Sequence, residues 1–225
     1  MSTINFYNLT KSSPSINPQY KEHGIKVPFR MLIAAPSGSG KTNALLNLLI
    51  AFDKTFHEII ICVKSGDEPL YQLVLDRLKN VKLYENGEVP PIEDYSQLKD
   101  GKLKRIDKLQ RLIVFDDLVL DHGANIKIKE YYIKARKLGF SMCYISQSYY
   151  QTPKMIRDNC QYFILGRNLL KKDLRMILQL FPSNLNLDEL TFLYNDLTKE
   201  PLDVINIDIE NRIIRRNING DPINL

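Results

Sequence analysis

Cysteine and long apolar runs are both scarce in this chain of 225 residues. Its three cysteines, Cys62, Cys143 and Cys160, lie in separate apolar stretches without paired spacing, which argues against a disulfide or zinc framework and favours reduced core residues. No apolar segment approaches the length that spans a bilayer, and the polar start of the chain lacks secretory character. We therefore expect a soluble intracellular protein with no membrane span and no structural metal.

The chain also has only a small excess of positive charge. The 31 Lys and Arg residues against 26 Asp and Glu residues give a formal net charge of +5, which permits anionic partners without identifying nucleic acid. There are no internal repeats, and the length suits one α/β domain with a short appendage better than two full domains. The Asn-Lys-x-Asp motif that reads guanine does not occur, which disfavours a GTPase.

What the chain does contain is a glycine-rich segment between an apolar run and a helical pattern. Residues 35–42 read Ala-Pro-Ser-Gly-Ser-Gly-Lys-Thr, after the apolar run 29–34 and before the leucine-rich stretch 43–50. A phosphate-binding loop requires this order of strand, turn and helix, because its backbone N–H groups and a helix N-terminus must point at one polyphosphate. We predict a P-loop that binds ATP, with Ala35 in place of the usual first glycine.

Each position of this loop has a physical role. Gly38 and Gly40 permit backbone conformations and close approaches that a Cβ would hinder, so the neighbouring amides can surround the β-phosphate. Lys41 extends a positive charge to the β- and γ-phosphate oxygens, and the Thr42 hydroxyl is placed to ligate Mg²⁺. The predicted nucleotide-binding residues are Ala35, Pro36, Ser37, Gly38, Ser39, Gly40, Lys41, Thr42 and Asn43.

Short apolar runs alternate with helical patterns along the middle of the chain. Strands are predicted at residues 29–34, 58–63, 111–117, 140–147 and 161–165, helices near 43–50, 68–79, 125–138, 153–159, 171–180 and 186–197, and a hairpin over 204–216. Residues 81–110 are interpreted as irregular. The alternation predicts an α/β fold, with a mainly parallel sheet covered by helices on both faces. We expect an N-terminal arm at 1–27, a P-loop ATPase core at 28–170, and C-terminal helices and a β-hairpin at 171–225 that pack on the core.

Polar residues that follow two further strands complete the predicted site. Ligands bind beyond the carboxyl ends of parallel strands, so Asp116 and Gln147 can meet the P-loop although they are distant in sequence. Asp116 suits the water-mediated holder of Mg²⁺ in a Walker B strand, and Asp117 suits the group that orients or deprotonates the attacking water. Gln147 can hydrogen-bond the γ-phosphate or that water. ATP hydrolysis is therefore the predicted reaction, with Lys41, Asp117 and Gln147 as catalytic residues.

An arginine is also expected near the transferring phosphoryl group, because its charge would stabilise the equatorial oxygens in the transition state. In ring-shaped motors this residue comes from the adjacent subunit. The candidates are Arg136, Arg157 and Arg167. We favour Arg136 as a fourth catalytic residue, because it shortly precedes the strand that ends at Gln147.

Three stretches of the chain together resemble a known family. They are residues 28–42, which contain the P-loop, the strand that ends in Asp116 and Asp117, and residues 146–159, which begin Ser-Gln-Ser-Tyr-Tyr-Gln-Thr-Pro and end Ile-Arg-Asp-Asn. Over this core the chain is similar to the FtsK/HerA-type genome-packaging ATPases of large DNA viruses, polintons and virophages, and to virophage members in particular.

The resemblance implies both a fold and a function. The fold is a P-loop NTPase of the ASCE, RecA-like group, with core strands in the order 5-1-4-3-2, so that the Gln147 strand lies between the Asp116 strand and the P-loop strand. The function is ATP-driven, sequence-independent movement of double-stranded viral DNA into a preformed capsid. The implied partners are further copies of the chain, in a ring of five or six, and the capsid vertex. The implied location is the host cell cytoplasm, a viral factory or the virion.

Two other functions stay open from the residues alone. A nucleoside or nucleotide kinase also uses a P-loop, although no arginine-bearing lid is recognisable. A non-hydrolysing, nucleotide-dependent assembly factor would bind ATP without turnover. If the chain is a motor, sequence-independent DNA contacts are expected on a basic surface. The candidate surfaces are Lys127, Lys129, Lys134 and Lys137 on one helix, Lys171 and Lys172, and Arg212, Arg215 and Arg216 on the hairpin.

Overall fold

The alternating apolar runs form the strands of one large sheet in the computed structural model, which describes residues 15–100, 102–118, 121–181 and 184–224. The strands are β1 (Arg30–Ala34), β2 (Glu58–Val63), β3 (Val81–Tyr84), β4 (Ser96–Lys99), β5 (Lys102–Arg105), β6 (Arg111–Asp116), β7 (Phe140–Ser146), β8 (Tyr162–Gly166), β9 (Val204–Asp208), β10 (Ile213–Arg216) and β11 (Ile223–Asn224). The helices are α1 (Tyr20–His23), α2 (Lys41–Ala51), α3 (Pro69–Arg77), α4 (His122–Lys134), α5 (Lys154–Arg157), α6 (Lys171–Leu178) and α7 (Leu187–Leu197), with 3-10 helices at Ile92–Tyr95 and Ala135–Leu138.

Strand order places β7 at the centre of the parallel part of the sheet. The main sheet has the order β11-β10-β9-β8-β1-β7-β6-β2-β3, and β4 and β5 form a separate two-stranded sheet. The strands from β8 to β3 in this order run parallel. The five core strands thus stand in the order 5-1-4-3-2 that the resemblance implies. Their C-terminal ends share one side of the sheet, here called the carboxyl edge, and their N-terminal ends share the amino edge.

Helices cover both faces of this sheet. The core strands are nearly continuous apolar runs, as expected for parallel strands that are buried on both sides, and every residue of β7 is buried. One face packs against α2 and α3, and the other packs against α4, α6 and α7. The mainly parallel α/β architecture predicted from the sequence is confirmed.

The helix after β6 begins earlier than the predicted start at residue 125. The carboxylate of Asp121 accepts the N–H of Ala124 at 2.8 Å and caps α4, which therefore starts at His122. The helical path continues through a 3-10 turn and stops at Gly139, whose φ of 86° lies in the left-handed region.

The interpretation of residues 81–110 as irregular is wrong. This stretch contains β3, a 3-10 helix and the β4–β5 hairpin. All three strands have only four residues, and β3 is the edge strand of the main sheet. The hairpin strands are also largely polar, because the hairpin is outside the main sheet and does not need the apolar pattern of a buried strand. Near the C-terminus, the predicted hairpin is present as β9 and β10, and it extends the sheet itself because β9 pairs antiparallel with β8.

Residues 1–14 of the predicted N-terminal arm lie outside the described residues. The described part of the arm packs against the core, where His23 and Ile25 are buried. The three cysteines are free thiols, two of them buried and Cys160 partly exposed. In the described parts of the chain, no helix combines the length and apolar character needed to cross a membrane.

His23 is a buried titratable residue that links the arm to the core. It is 1% exposed, its Nδ1 accepts the N–H of Ile25 at 2.9 Å, and its ring centroid lies 4.5 Å from that of Phe52. Burial, together with the positive charge of Arg215, lowers its pKa from 6.5 to about 4. The folded protein therefore keeps this imidazole neutral at pH values where the unfolded chain protonates it.

We expect acid to destabilise the fold through His23. Between the unfolded pKa and the folded pKa the unfolded chain binds more protons, so the free energy of unfolding falls as the pH falls, by about 2 kcal/mol from pH 7 to pH 5. Denaturant titrations at both pH values measure this loss. His23→Asn keeps a hydrogen-bond acceptor but does not titrate, so its loss should be about 2 kcal/mol smaller. An equal loss in the two proteins would contradict the assignment.

Candidate nucleotide-binding site

The P-loop joins β1 to α2 at the carboxyl edge. Gly38 and Gly40 have φ values of 72° and 82°, in the left-handed region that favours glycine. A Cβ on Gly40 would also lie 2.6 Å from Cδ2 of Leu202 in the C-terminal segment. At the start of the loop, the N–H of Ala35 donates to the carbonyl of Ser146 at 3.2 Å, which ties the loop to the end of β7.

The first turn of α2 presents groups that fit the phosphates of a nucleotide. Its N-cap is Gly40, which has no side chain to accept the N–H groups of that turn, so these donors and the positive end of the helix dipole are available to an anion. Lys41 Nζ donates to the Pro36 carbonyl at 3.2 Å, which holds the ammonium group against the loop. Thr42 lies in the same turn and is 9% exposed; its hydroxyl is an oxygen ligand of the kind that Mg²⁺ prefers. The predicted nucleotide-binding residues thus occupy one loop and one helical turn, Asn43 included.

Asp116 ends β6 at the same edge. It stands opposite Ile145 of β7, while Ala34 at the end of β1 stands opposite the next residue, Ser146. Adjacent strands lie about 4.8 Å apart, so the Asp116 backbone is roughly 10 Å from the start of the P-loop, a gap that side chains and a metal ion can bridge. The structure therefore brings Asp116 and the P-loop to one place.

Burial is the largest influence on the Asp116 carboxyl group. Burial raises its pKa from 3.8 to about 6, and the carboxylates of Asp117 and Glu68 act in the same direction. A hydrogen bond from the Tyr71 hydroxyl to Oδ2 and the charge of Lys41 oppose these effects. A divalent cation would add positive charge beside the buried carboxyl group and favour its ionised form, so the donor set of Thr42 and Asp116 fits Mg²⁺.

Asp117 and Gln147 are in direct contact. Gln147 Nε2 donates to Asp117 Oδ2 at 2.7 Å, and the N–H of Asp117 donates to the Ile145 carbonyl at 3.1 Å. The φ of Asp117 is 52°, a left-handed conformation that is uncommon for a residue with a Cβ and that recurs at functional sites. The two residues assigned to the attacking water are thus joined by a hydrogen bond, and their catalytic roles stay predictions.

Two residues that support the site were not identified from the sequence. Tyr71 of α3 is 1% exposed and donates to Asp116, but in the sequence its helix shows only the spacing of ordinary core residues. Asp173 of α6 is 1% exposed and accepts the N–H groups of Tyr149 and Tyr150 at 2.8 and 3.2 Å. It fixes the turn that follows Gln147, and nothing in the sequence links it to that turn.

Arg136 lies away from the P-loop of its own chain. It belongs to the 3-10 helix that precedes β7, and it lines a cavity at the amino edge with Gln110 and Ser141. Because the P-loop is at the carboxyl edge, the structure does not bring Arg136 to this site. Its proposed action on a neighbouring subunit stays a prediction.

The other two arginine candidates differ in position. The Arg157 guanidinium lies over the Tyr149 ring, 4.9 Å from its centroid. Arg167 directly follows β8, whose last residue, Gly166, is packed so tightly on the P-loop that an added Cβ would lie 2.6 Å from Cβ of Ala35. Arg167 is therefore the candidate that directly follows a strand end packed against the P-loop.

This strand order, with a P-loop after β1 and acidic residues at the end of β6, defines a P-loop NTPase. The chain belongs to the Poxvirus A32 protein family, which matches residues 19–191. This membership bears out the resemblance to viral packaging ATPases drawn from the sequence. No curated protein sequence matches the chain.

Solved structures of three other proteins share the fold. The genome packaging NTPase B204 from Sulfolobus turreted icosahedral virus 2 has 12% identity and a TM-score of 0.57, over 88% of this chain and 98% of that one. EssC (ATPases 2 and 3) from Geobacillus thermodenitrificans has 12% identity and a TM-score of 0.57, over 86% of this chain and 40% of that one. The type VII secretion ATPase EccC of Thermomonospora curvata has 15% identity and a TM-score of 0.56, over 88% of this chain and 26% of the cytoplasmic domain. At these identities the likeness concerns the fold alone.

We expect Tyr71→Phe to weaken the use of Mg²⁺. The change keeps the buried ring and removes the hydrogen bond that orients Asp116, and such supporting contacts are worth about 10-fold or more in metal affinity. The Mg²⁺ concentration for half-maximal ATP hydrolysis should rise by about that factor.

The matched control is Tyr131→Phe, which removes a buried hydrogen bond from Tyr131 to the Pro90 carbonyl on the other face of the sheet. It should leave the Mg²⁺ requirement unchanged. If both folded variants have the same requirement, Tyr71 does not position Asp116.

Proposed function

We propose that this chain is an ATP-hydrolysing motor subunit that moves double-stranded viral DNA into a preformed capsid. The observation that carries the proposal is the hydrogen-bonded pair of Asp117 and Gln147 at the strand edge that holds the P-loop. Membership of the Poxvirus A32 protein family supports it, as does the likeness in fold to a viral genome packaging NTPase over nearly the whole of both chains.

The proposed nucleotide is ATP with Mg²⁺. The packaging NTPase B204 has been solved with AMP, AMPPCP and ATP-gammaS. In this chain the loop amides and Lys41 would hold the β- and γ-phosphates, and Thr42 and Asp116 would hold Mg²⁺, which when bound neutralises charge on those phosphates.

Asp117 and Gln147 would act on the attacking water. Because Gln147 holds Oδ2 of Asp117, the second carboxylate oxygen can accept a proton from water while the side chain stays oriented. Many related ATPases have a glutamate at this position. Aspartate is shorter by one methylene group, so the position of its backbone must compensate if its carboxylate is to reach the water. The left-handed φ of 52° at Asp117 shows that the backbone leaves the extended strand conformation at this residue. This pair favours transfer of the phosphoryl group to water over transfer to a nucleoside acceptor.

A transition-state arginine would complete the site. In this proposal Arg167 is the stronger candidate, because it follows the strand that adjoins the P-loop, whereas Arg136 must act from the amino edge of a neighbouring subunit. Arg167 would act on the P-loop of its own chain, whereas the role of Arg136 requires the ring of five or six subunits that the motor function implies. The capsid vertex is the proposed docking partner of that ring.

We expect Asp117→Asn to bind ATP and to lose turnover. The substitution keeps the size of the side chain and an acceptor for Gln147 but removes the base, so phosphate release should fall by about 100-fold or more, while binding of a fluorescent ATP analogue stays within about 3-fold. Normal turnover in the folded variant would contradict the role of Asp117.

Lys41→Ala tests the P-loop itself. Loss of the ammonium group removes the charge that meets the β- and γ-phosphates, so nucleotide binding or hydrolysis should be abolished.

The motor proposal also predicts that duplex DNA stimulates ATP turnover by the unmodified protein. Absence of hydrolysis with and without DNA, at several protein concentrations, would rule the motor out.

A further inference from the structure

The β4–β5 hairpin is anchored at its base and exposed at its tip. Tyr95, just before β4, is 7% exposed and belongs to the core, and its carbonyl accepts the N–H of Ile106 just after β5 at 3.3 Å. Arg105 donates to the carbonyls of Asp107 and Leu109 at 2.6 and 2.9 Å. By contrast, Leu98 is 76% exposed. The hairpin therefore projects from a fixed base into solvent.

One face of this hairpin is basic. Lys99 stands opposite Lys102, and Gln97 stands opposite Lys104. Opposed residues of an antiparallel pair share a face, as do alternate residues of one strand, so these lysines lie together, and all three are exposed. Like charges placed directly opposite each other destabilise a strand pair. The only described ion pair of the group is an exposed one from Lys104 to Asp100 at 3.3 Å, which contributes little.

Further positive charge lies where the hairpin meets the amino edge. Arg105, Lys108 and Arg136 line one cavity there, and both Lys108 and Arg136 are exposed. We call Lys99, Lys102, Lys104 and Lys108 the basic hairpin surface. It lies at the edge of the sheet opposite the nucleotide site, so a polyanion bound to it would not compete with ATP.

The basic surfaces identified from the sequence are partly engaged within the chain. Lys127 donates to the Val89 carbonyl at 2.8 Å, Lys134 pairs with Glu130 at 3.2 Å, Arg216 pairs with Asp203 at 2.6 Å, and Lys172 lies 3.5 Å from the Tyr150 ring centroid. Each of these contacts restrains a side chain that a phosphate would otherwise recruit. The basic hairpin surface has more of its charge directed to solvent.

We propose that the basic hairpin surface binds the phosphate backbone of duplex DNA. Lysine is a point charge on a flexible stem, and a projecting ribbon that presents several such charges suits the regular phosphates of a duplex without reading its bases. The inference rests on the proposed motor function, which supplies the partner. Lysines on exposed strand edges also prevent edge-to-edge association, and the experiment separates these two roles.

The test compares two triple variants. Lys99→Gln, Lys102→Gln and Lys104→Gln together should weaken binding of a labelled duplex of arbitrary sequence by about 10-fold or more, and the slope of log affinity against log salt should fall by about 3. The control is Lys54→Gln, Lys79→Gln and Lys199→Gln, which removes the same charge from three exposed lysines elsewhere and should leave affinity and slope unchanged. ATP turnover without DNA should stay the same in both, and its stimulation by DNA should be lost in the first.

A charge-reversed variant keeps the test decisive if the first one aggregates. Lys99→Glu, Lys102→Glu and Lys104→Glu keeps charged edges, so it should stay soluble and lose DNA binding. If it binds DNA like the unmodified protein, the lysines only protect the edges and the inference is overturned. If the unmodified protein hydrolyses ATP but binds no DNA, the motor function fails as well, which is a different outcome from a hairpin that is dispensable for binding.

Discussion

The pairing of β7 with β1 on one side and with β6 on the other is the constraint on which the site depends. Ala34 stands opposite Ser146, and Asp116 stands opposite Ile145, so three segments that are distant in sequence end at the same level. The N–H groups of Ala35 and Asp117 then donate to the carbonyls of Ser146 and Ile145, which extends the ladder beyond the strands on both sides. A slip by one residue would turn the side chains of a strand to the opposite face and would separate the acidic residues from the P-loop.

Helices on the two faces of the sheet make contacts that support the residues at the strand ends. Tyr71 reaches the site from α3 on one face, and Asp173 holds the turn after β7 from α6 on the other. The two neighbouring carboxyl groups are thereby given different environments: Asp116 is partly buried with a raised pKa, and Asp117 is exposed and held by Gln147. Such a division suits one group to a metal ion and the other to water.

The elements predictable from the sequence are those that bury apolar surface on both sides or require glycine. The core strands and the P-loop are of this kind. The individual P-loop residues are also predictable, because each of them has a separate physical role. The β4–β5 hairpin has no recognisable apolar pattern in the sequence, because the buried part of this segment is its base at Tyr95. The support from Tyr71 is not predictable from the sequence, because a helical pattern does not distinguish a core tyrosine from one that donates a hydrogen bond to the site. Nearness to β7 in sequence does not bring Arg136 to the P-loop of its own chain, because a residue that precedes a parallel strand lies at the amino edge; its action on a neighbouring subunit stays a prediction.

In the proposed function the nucleotide binds at the carboxyl edge of the sheet and DNA binds at the amino edge. Strand β6 runs from the amino edge to the carboxyl edge. Its first residue, Arg111, forms an ion pair with Asp107, which follows the hairpin in sequence, and its last residue is Asp116. The proposed function requires the three strand ends to meet around one magnesium-bound triphosphate, which a crystal structure with Mg²⁺ and a non-hydrolysable ATP analogue would show. We expect a metal ion bound by the Thr42 hydroxyl and linked to Asp116 by at most one water, with the γ-phosphate facing Gln147. A nucleotide bound elsewhere, or a metal ion out of reach of Asp116, would contradict it.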